Sequence, residues 1–151
     1  VSVLVQAEAF DPSLEYKNLL ARCPGAAVAT FSGYVRDFSA SGAVTTLELE
    51  HYPGMAERVL EKLGTEATTR FGLRGFRIAH RFGLMPVNDI IVWVGTVADH
   101  RGEALAACEF IMDTLKTDAP FWKRETGDAG SQWVDARKTD AVRRDRWNQS
   151  A

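Results

Sequence analysis

The stretch DHRGEALAACEFIMDTLKTDAPFWKRE, Asp99 to Glu125, decides the fold. Leu105, Cys108, Met112 and Leu115 recur at steps of three and four, the spacing of one buried helical stripe. Asp99 or His100 can cap its start, Glu103 suits its first turn, and Pro120 forbids its continuation. Lys116 falls in the last turn, where a cation suits the helix dipole. His100 and Arg101 fall at the opposite end. At a rise of about 1.5 Å per residue, His100 and Lys116 lie roughly 24 Å apart. One straight helix cannot bring both to the same small ligand. If both serve one pocket, a second copy of the chain must supply one of them.

Outward from this helix, the segments alternate in type. Before it, IIVWVGTVA (residues 90–98) is the most apolar run and predicts a central strand. The loop GLMPVND precedes it, and Phe76, Ile78, His80 and Phe82 mark another strand. Met55 to Arg70 predicts a helix with Val59, Leu60, Leu63 and Ala67 inward, ended by Gly72. In Thr45 to Tyr52, Leu47, Leu49 and His51 alternate with Thr46, Glu48 and Glu50, a strand with one wet face.

Further back, Gly25 to Arg36 predicts a strand in which Gly33 signals a bulge or a close backbone approach. The polar loop DFSASG follows it. Asp11-Pro12 starts a short helix, Asp as N-cap and Pro at its first position, running through Leu19-Leu20. Val1 to Gln6 is a β-branched strand. After the main helix, Phe121–Glu125 and Gln132–Ala136 predict two strands around the turn TGDAG. The order β-α-β-β-α-β-β-α-β-β points to an α+β single domain with a mostly antiparallel sheet and flanking helices. Residues 1–137 form the domain, and 138–151 a polar, charged tail with a short surface helix.

At 151 residues with a net charge of −2, the chain is an ordinary globular domain rather than a general nucleic-acid binder. No apolar run approaches the roughly 20 residues that span a bilayer. The segment VSVLVQAEAF lacks the basic start and long apolar core of a secretory signal, so a cytoplasmic location is expected. Cys23 and Cys108 form no CxxC pair, and His51, His80 and His100 have no ligand-like spacing, so neither a metal nor a cofactor is expected. Cys108 lies on the helical stripe and reads as a small buried hydrophobe. His51 and His80 lie on apolar strand faces and read as satisfied core or supporting histidines.

Phosphate-binding loops, GxSxG and HExxH are absent. What stands out is a set of cations at element ends: Arg36, His100-Arg101, Lys116, Lys123-Arg124 and Arg137. Guanidinium forks and a helix N-terminus suit phosphate or carboxylate. Singly, each cation reads more readily as a surface charge paired among twenty acidic residues. Beside Phe31, Tyr34, Phe121 and Trp122, the set points to a pocket for an aromatic anion. A non-catalytic phosphate-ligand module and an RNA-binding module are the alternatives that spacing leaves open.

The runs FSGYVRD, LELEHYPGMAE, HRFGLMPVNDIIVWVG, ADHRGEA, FIMDTLKTDAPFWKRE and WVDAR together resemble the large, catalytic subunit of molybdopterin synthase, the MoaE family. The resemblance covers about Gly25 to Arg137. It implies an α/β-hammerhead-like fold and a sulfurtransferase of molybdenum cofactor biosynthesis. Such an enzyme adds two sulfurs to cyclic pyranopterin monophosphate, taken from the thiocarboxylated C-terminus of a small ubiquitin-like partner. It further implies a homodimer within a heterotetramer. Carried onto this chain, substrate-binding positions fall on Tyr34, Val35, Arg36, His100, Arg101, Lys116, Lys123, Arg124 and Glu125. Arg137 matches an arginine that reaches the neighbouring protomer's pocket. Lys116 and Lys123 are the catalytic candidates. Asp99 stands where the family often has Ala, and Tyr34 at a variable position; neither departure removes a reactive group. Phe31 and Trp122 are candidates to border the pterin, with Trp122 equally readable as core. The loop Gly127-Asp128-Ala129-Gly130 is a candidate wall for the partner's tail.

Overall fold

The computed structural model describes residues 2–39, 42–118, 121–127, 130–134 and 138–148. Its elements run β1 (Val3–Gln6), α1 (Pro12–Arg22), β2 (Ala27–Tyr34), β3 (Phe38–Ser39), β4 (Gly42–His51), α2 (Met55–Phe71), β5 (Gly75–Arg81), β6 (Gly83–Pro86), β7 (Ile90–Ala98), α3 (Arg101–Asp118), β8 (Phe121–Gly127), β9 (Gly130–Val134) and α4 (Lys138–Asp145), then a 3-10 turn, Arg146–Asn148. The α+β class and the mostly antiparallel pairing are as the sequence predicts. The strands divide into two sheets rather than one.

The first sheet has the order β1-β5-β7-β2, with β1 parallel to β5 and the other pairs antiparallel. β7 lies inside it and is buried on both faces. Val92 and Val94 meet Leu60, Leu63 and Ala67 of α2 and Ala107, Ile111 and Leu115 of α3. Trp93 and Val97 meet Leu19 of α1 on the other face. This double burial is why residues 90–98 are apolar without alternation.

Local chemistry sets the element ends. The Asp11 side chain accepts from the Ser13 N–H at 2.9 Å, with Pro12 opening α1. Gly72 ends α2 in the left-handed region, at φ 66°. At Gly33 the β2–β7 register shifts, and a Cβ there would lie 2.8 Å from a Val92 methyl. Gly33 thus serves both a bulge and a close approach.

The second sheet is built on β4, which pairs with β3, β6 and β8, while β9 pairs with β8. Its inner face, Val35, Leu47, Leu49 and Met85, forms a separate small core. Two segments expected as loops are strands here. Residues 37–42 contain β3, folded back on the start of β4, and GLMP is β6, paired with Thr46–Leu49. Both are too short for periodicity to reveal, and sheet pairing supplies what local propensity lacks.

The α3 stripe differs from the expected one. Leu105 is 61 % exposed, while Ala104, Ala107, Cys108, Phe110, Ile111, Met112 and Leu115 are buried. Small alanines let the helix approach the sheet closely, and the larger Leu105 faces outward. The tail packs against α3. Trp147 contributes its ring to the main core, and its indole N–H donates to the buried Asp113 carboxylate at 2.8 Å.

Candidate functional site

α3 is continuous from Arg101 to Asp118, which sets Arg101 and Lys116 about 22 Å apart. It follows β7 through residues 99–100 and packs back across β7 and β2. Its C-terminal end therefore lies over the Ile90 end of β7. Tyr34, paired with Ile90, is at that same end of the sheet, and Ala27, paired with Ala98, is at the other. One chain thus groups Tyr34, Arg36 and Lys116 at one end and places His100-Arg101 at the opposite end.

β8 joins the first group. Lys123 pairs with Leu49 and Glu125 with Leu47, so both point to the inner face of the second sheet. Lys123 is half-buried and Glu125 buried. Phe121, two residues before Lys123, shares that face. Arg124 and Trp122 point to the outer face, opposite Glu48 and Glu50. Arg124 forms an ion pair with Glu48 and lies over the Trp133 ring, 5.3 Å from its centroid. Trp122 is 49 % exposed and packs edge-on against Tyr52, so it is neither core nor on the lysine face. Phe31 is also exposed, on the same side of β2 as Ala29, the side on which α3 packs.

Behind the lysines is a ring cluster that sequence reasoning did not assemble. His80 of β5 stacks on Phe121 with centroids 4.0 Å apart and planes 11° apart. His51 approaches Phe121 at 6.0 Å and Phe82 at 4.1 Å. The stack bridges the two sheets. His80 is buried, and its Nδ1 lies 2.8 Å from the Arg81 carbonyl oxygen. A carbonyl only accepts, so Nδ1 carries the proton. Burial, with a smaller contribution from the positive charge of Lys116, holds the His80 pKa down to about 4.

Arg81 was also missed. Buried at the end of β5, it donates through Nε to the Ala7 carbonyl at 2.9 Å and through Nη1 to the Ile90 carbonyl at 3.1 Å and Asp89 Oδ2 at 3.2 Å. Asp89 in turn accepts the Val35 N–H on its carbonyl at 2.8 Å, and the Val35 carbonyl accepts from Asn88 N–H at 2.9 Å. This clamp fixes the backbone that presents Arg36. Val35 itself is 3 % exposed, and both its main-chain groups are engaged. Its part is to hold Tyr34 and Arg36, not to reach a ligand with its side chain.

Arg36, His100 and Arg101 are exposed and form no ion pair among the described residues. Asp99 pairs with Arg74 beside them. Exposed guanidinium and imidazole groups without internal carboxylates are suited to an external anion. Arg137, Asp128 and Ala129 lie outside the described residues.

The profile of the MoaE protein family matches residues 5–118. The chain belongs to the MoaE family of molybdopterin synthase catalytic subunits. A molybdopterin synthase catalytic subunit from Rhizobium meliloti is 49% identical over 151 residues, covering 97% of this chain and 96% of its own. One from Vibrio cholerae is 46% identical over 145 residues, covering 96% and 97%. The solved structure of molybdopterin cofactor biosynthesis protein E from Burkholderia multivorans is 50% identical, with a TM-score of 0.82 over 98% of this chain and 97% of that one. Membership in MoaE makes the chain an enzyme subunit of molybdenum cofactor biosynthesis. No helix among the described residues of this MoaE chain is long and apolar enough to cross a membrane.

Proposed function

We propose that this chain moves two sulfurs from the thiocarboxylated C-terminus of a small ubiquitin-like partner to cyclic pyranopterin monophosphate, in the cytoplasm, within a homodimer that binds two such partners. The observation that carries this reading is the division of cations between the two ends of α3. Lys116, Lys123, Tyr34 and Arg36 from one protomer meet His100, Arg101 and Arg137 from its neighbour. In this reading residues 1–137 supply the chemistry and 138–151 form the tail.

Arg36, His100 and Arg101 hold the phosphate through charge-assisted hydrogen bonds. Lys116 handles the thiocarboxylate, donating to its carbonyl oxygen as each sulfur bonds to a carbon of the pyranopterin and water replaces it on the acyl carbon, leaving the partner's terminus a carboxylate. Lys123, half-buried next to Glu125, assists proton transfer on the pterin. Arg124 supports the strand that carries Lys123 and Glu125. No thiol of this chain takes part, since the partner delivers the sulfur.

The test is reconstituted turnover. The chain is mixed with thiocarboxylated small subunit and cyclic pyranopterin monophosphate, and dithiolene product is followed, with Lys116→Ala in parallel. Product from wild type and none from a folded, partner-binding Lys116→Ala supports the reading. Near-normal turnover by that variant removes Lys116 from the chemistry.

A further inference from the structure

Within the reading just given, the two lysines come from different elements and different sheets. Lys116 ends α3, which packs on the first sheet, and Lys123 is carried by β8 of the second. Something must fix one relative to the other to a fraction of an ångström, because misplacement of about 1 Å can cost a hundredfold in rate.

We propose that His80 is a positioning residue for sulfur transfer: its ring, stacked on Phe121 beside Lys116, fixes the start of β8 and with it Lys123. Four observations carry this. His80 belongs to the first sheet and Phe121 to the second, so their near-parallel stack at 4.0 Å is a direct tie between the two. The ring plane is set by the Nδ1 bond to the Arg81 carbonyl, which denies it rotation. Phe121 shares the inner face of β8 with Lys123, two residues on, so a tilt of Phe121 carries Lys123 with it. Lys116 is close enough for its charge to act on the imidazole.

The chemistry of the imidazole suits the place. A flat, neutral ring gives Phe121 a stacking surface, and a single N–H locks that surface to the backbone. A larger aliphatic chain would fill the volume and leave the Phe121 ring free to turn. His51, the cross-strand partner of Phe121 on β4, packs beside the same ring at 6.0 Å.

The experiment uses the reconstituted heterotetramer with His80→Ala, Phe121→Leu, their double variant and His80→Phe, alongside Lys116→Ala and Lys123→Ala. Folding, dimerisation and partner binding are checked for each, and rates are expressed per folded protein. His80→Ala and Phe121→Leu are each expected to lower kcat about tenfold or more. KM for the pyranopterin should stay within about twofold. The double variant should be no worse than either single one, because both break one contact. His80→Phe, which restores a ring, should recover most of the lost kcat. Wild-type kcat in folded His80→Ala or Phe121→Leu overturns the proposal, as does a loss confined to KM or to the folded fraction. Active Lys116→Ala and Lys123→Ala proteins would instead bring down the functional reading, and the inference with it.

Discussion

Lys123 and Arg124 are neighbours in sequence and face opposite sides of β8. Lys123 pairs with buried Leu49 on the inner face, and Arg124 pairs with Glu48 on the outer one. A two-residue period makes this unavoidable in a strand. It divides a basic dipeptide into one residue at the ring cluster and one in a surface ion pair.

The two should therefore respond differently to substitution. Lys123→Ala is expected to lose nearly all turnover in the reconstituted reaction. Arg124→Ala should lose far less, with stability reduced by about 1 kcal/mol or below, since its partner Glu48 and the Trp133 face are partly solvated. Equal losses of kcat in the two variants would mean that the outer face also meets substrate.

His80 gives the fold an acid sensitivity. Its folded-state pKa is about 4, below the ordinary 6.5, because burial disfavours the charged ring. Between those values the unfolded chain binds a proton that the folded protein refuses. Stability carried by neutral His80 is complete above about pH 6.5 and is lost as pH falls toward 4, to a total on the order of 3 kcal/mol. Urea unfolding at pH 7 and pH 4.5 measures it. In His80→Phe the difference between the two pH values should shrink by about 2 kcal/mol, most of that total, and an unchanged difference would place the acid sensitivity elsewhere.

Much of this molecule was legible from periodicity and end signals. Asp11-Pro12, Gly72 and the apolar run of β7 act locally, so they read directly. β3 and β6 were not legible, since two- and four-residue strands exist only through their pairing with β4. Leu105 misled because leucine is usually inward, whereas close helix–sheet packing here favours alanine. The cations of the site read clearly as residues at element ends. Their support did not: His80 and Phe121 are 41 positions apart, and the Arg81–Asp89 clamp acts on Val35 across two turns. Arg77, His80 and Arg81 within one short strand were the signal available, and they name no partner by themselves.

Cys108 should prove chemically silent. It is buried among α3 core residues, and burial pushes its thiol pKa up to about 11, so it stays protonated at neutral pH. Cys108→Ser is expected to leave sulfur transfer per folded protein unchanged. It should lower unfolding stability by roughly 1–3 kcal/mol, the cost of burying a hydroxyl without a designed partner. Loss of transfer in a folded Cys108→Ser protein would require a sulfur relay through this chain.

The composite site predicts complementation between two dead proteins. Lys116→Ala lacks one end of α3, and Arg101→Ala lacks the other. If each pocket takes Lys116 from one protomer and Arg101 from its neighbour, a mixed dimer has one pocket with both defects and one with neither. Random exchange makes half of the dimers mixed, so a one-to-one mixture should recover about a quarter of wild-type turnover. If both residues served a pocket of their own chain, every pocket in the mixture would carry one defect and nothing would be recovered. The unbroken run of α3 between Arg101 and Lys116 favours the first outcome, because no rearrangement short of breaking the helix brings its two ends together.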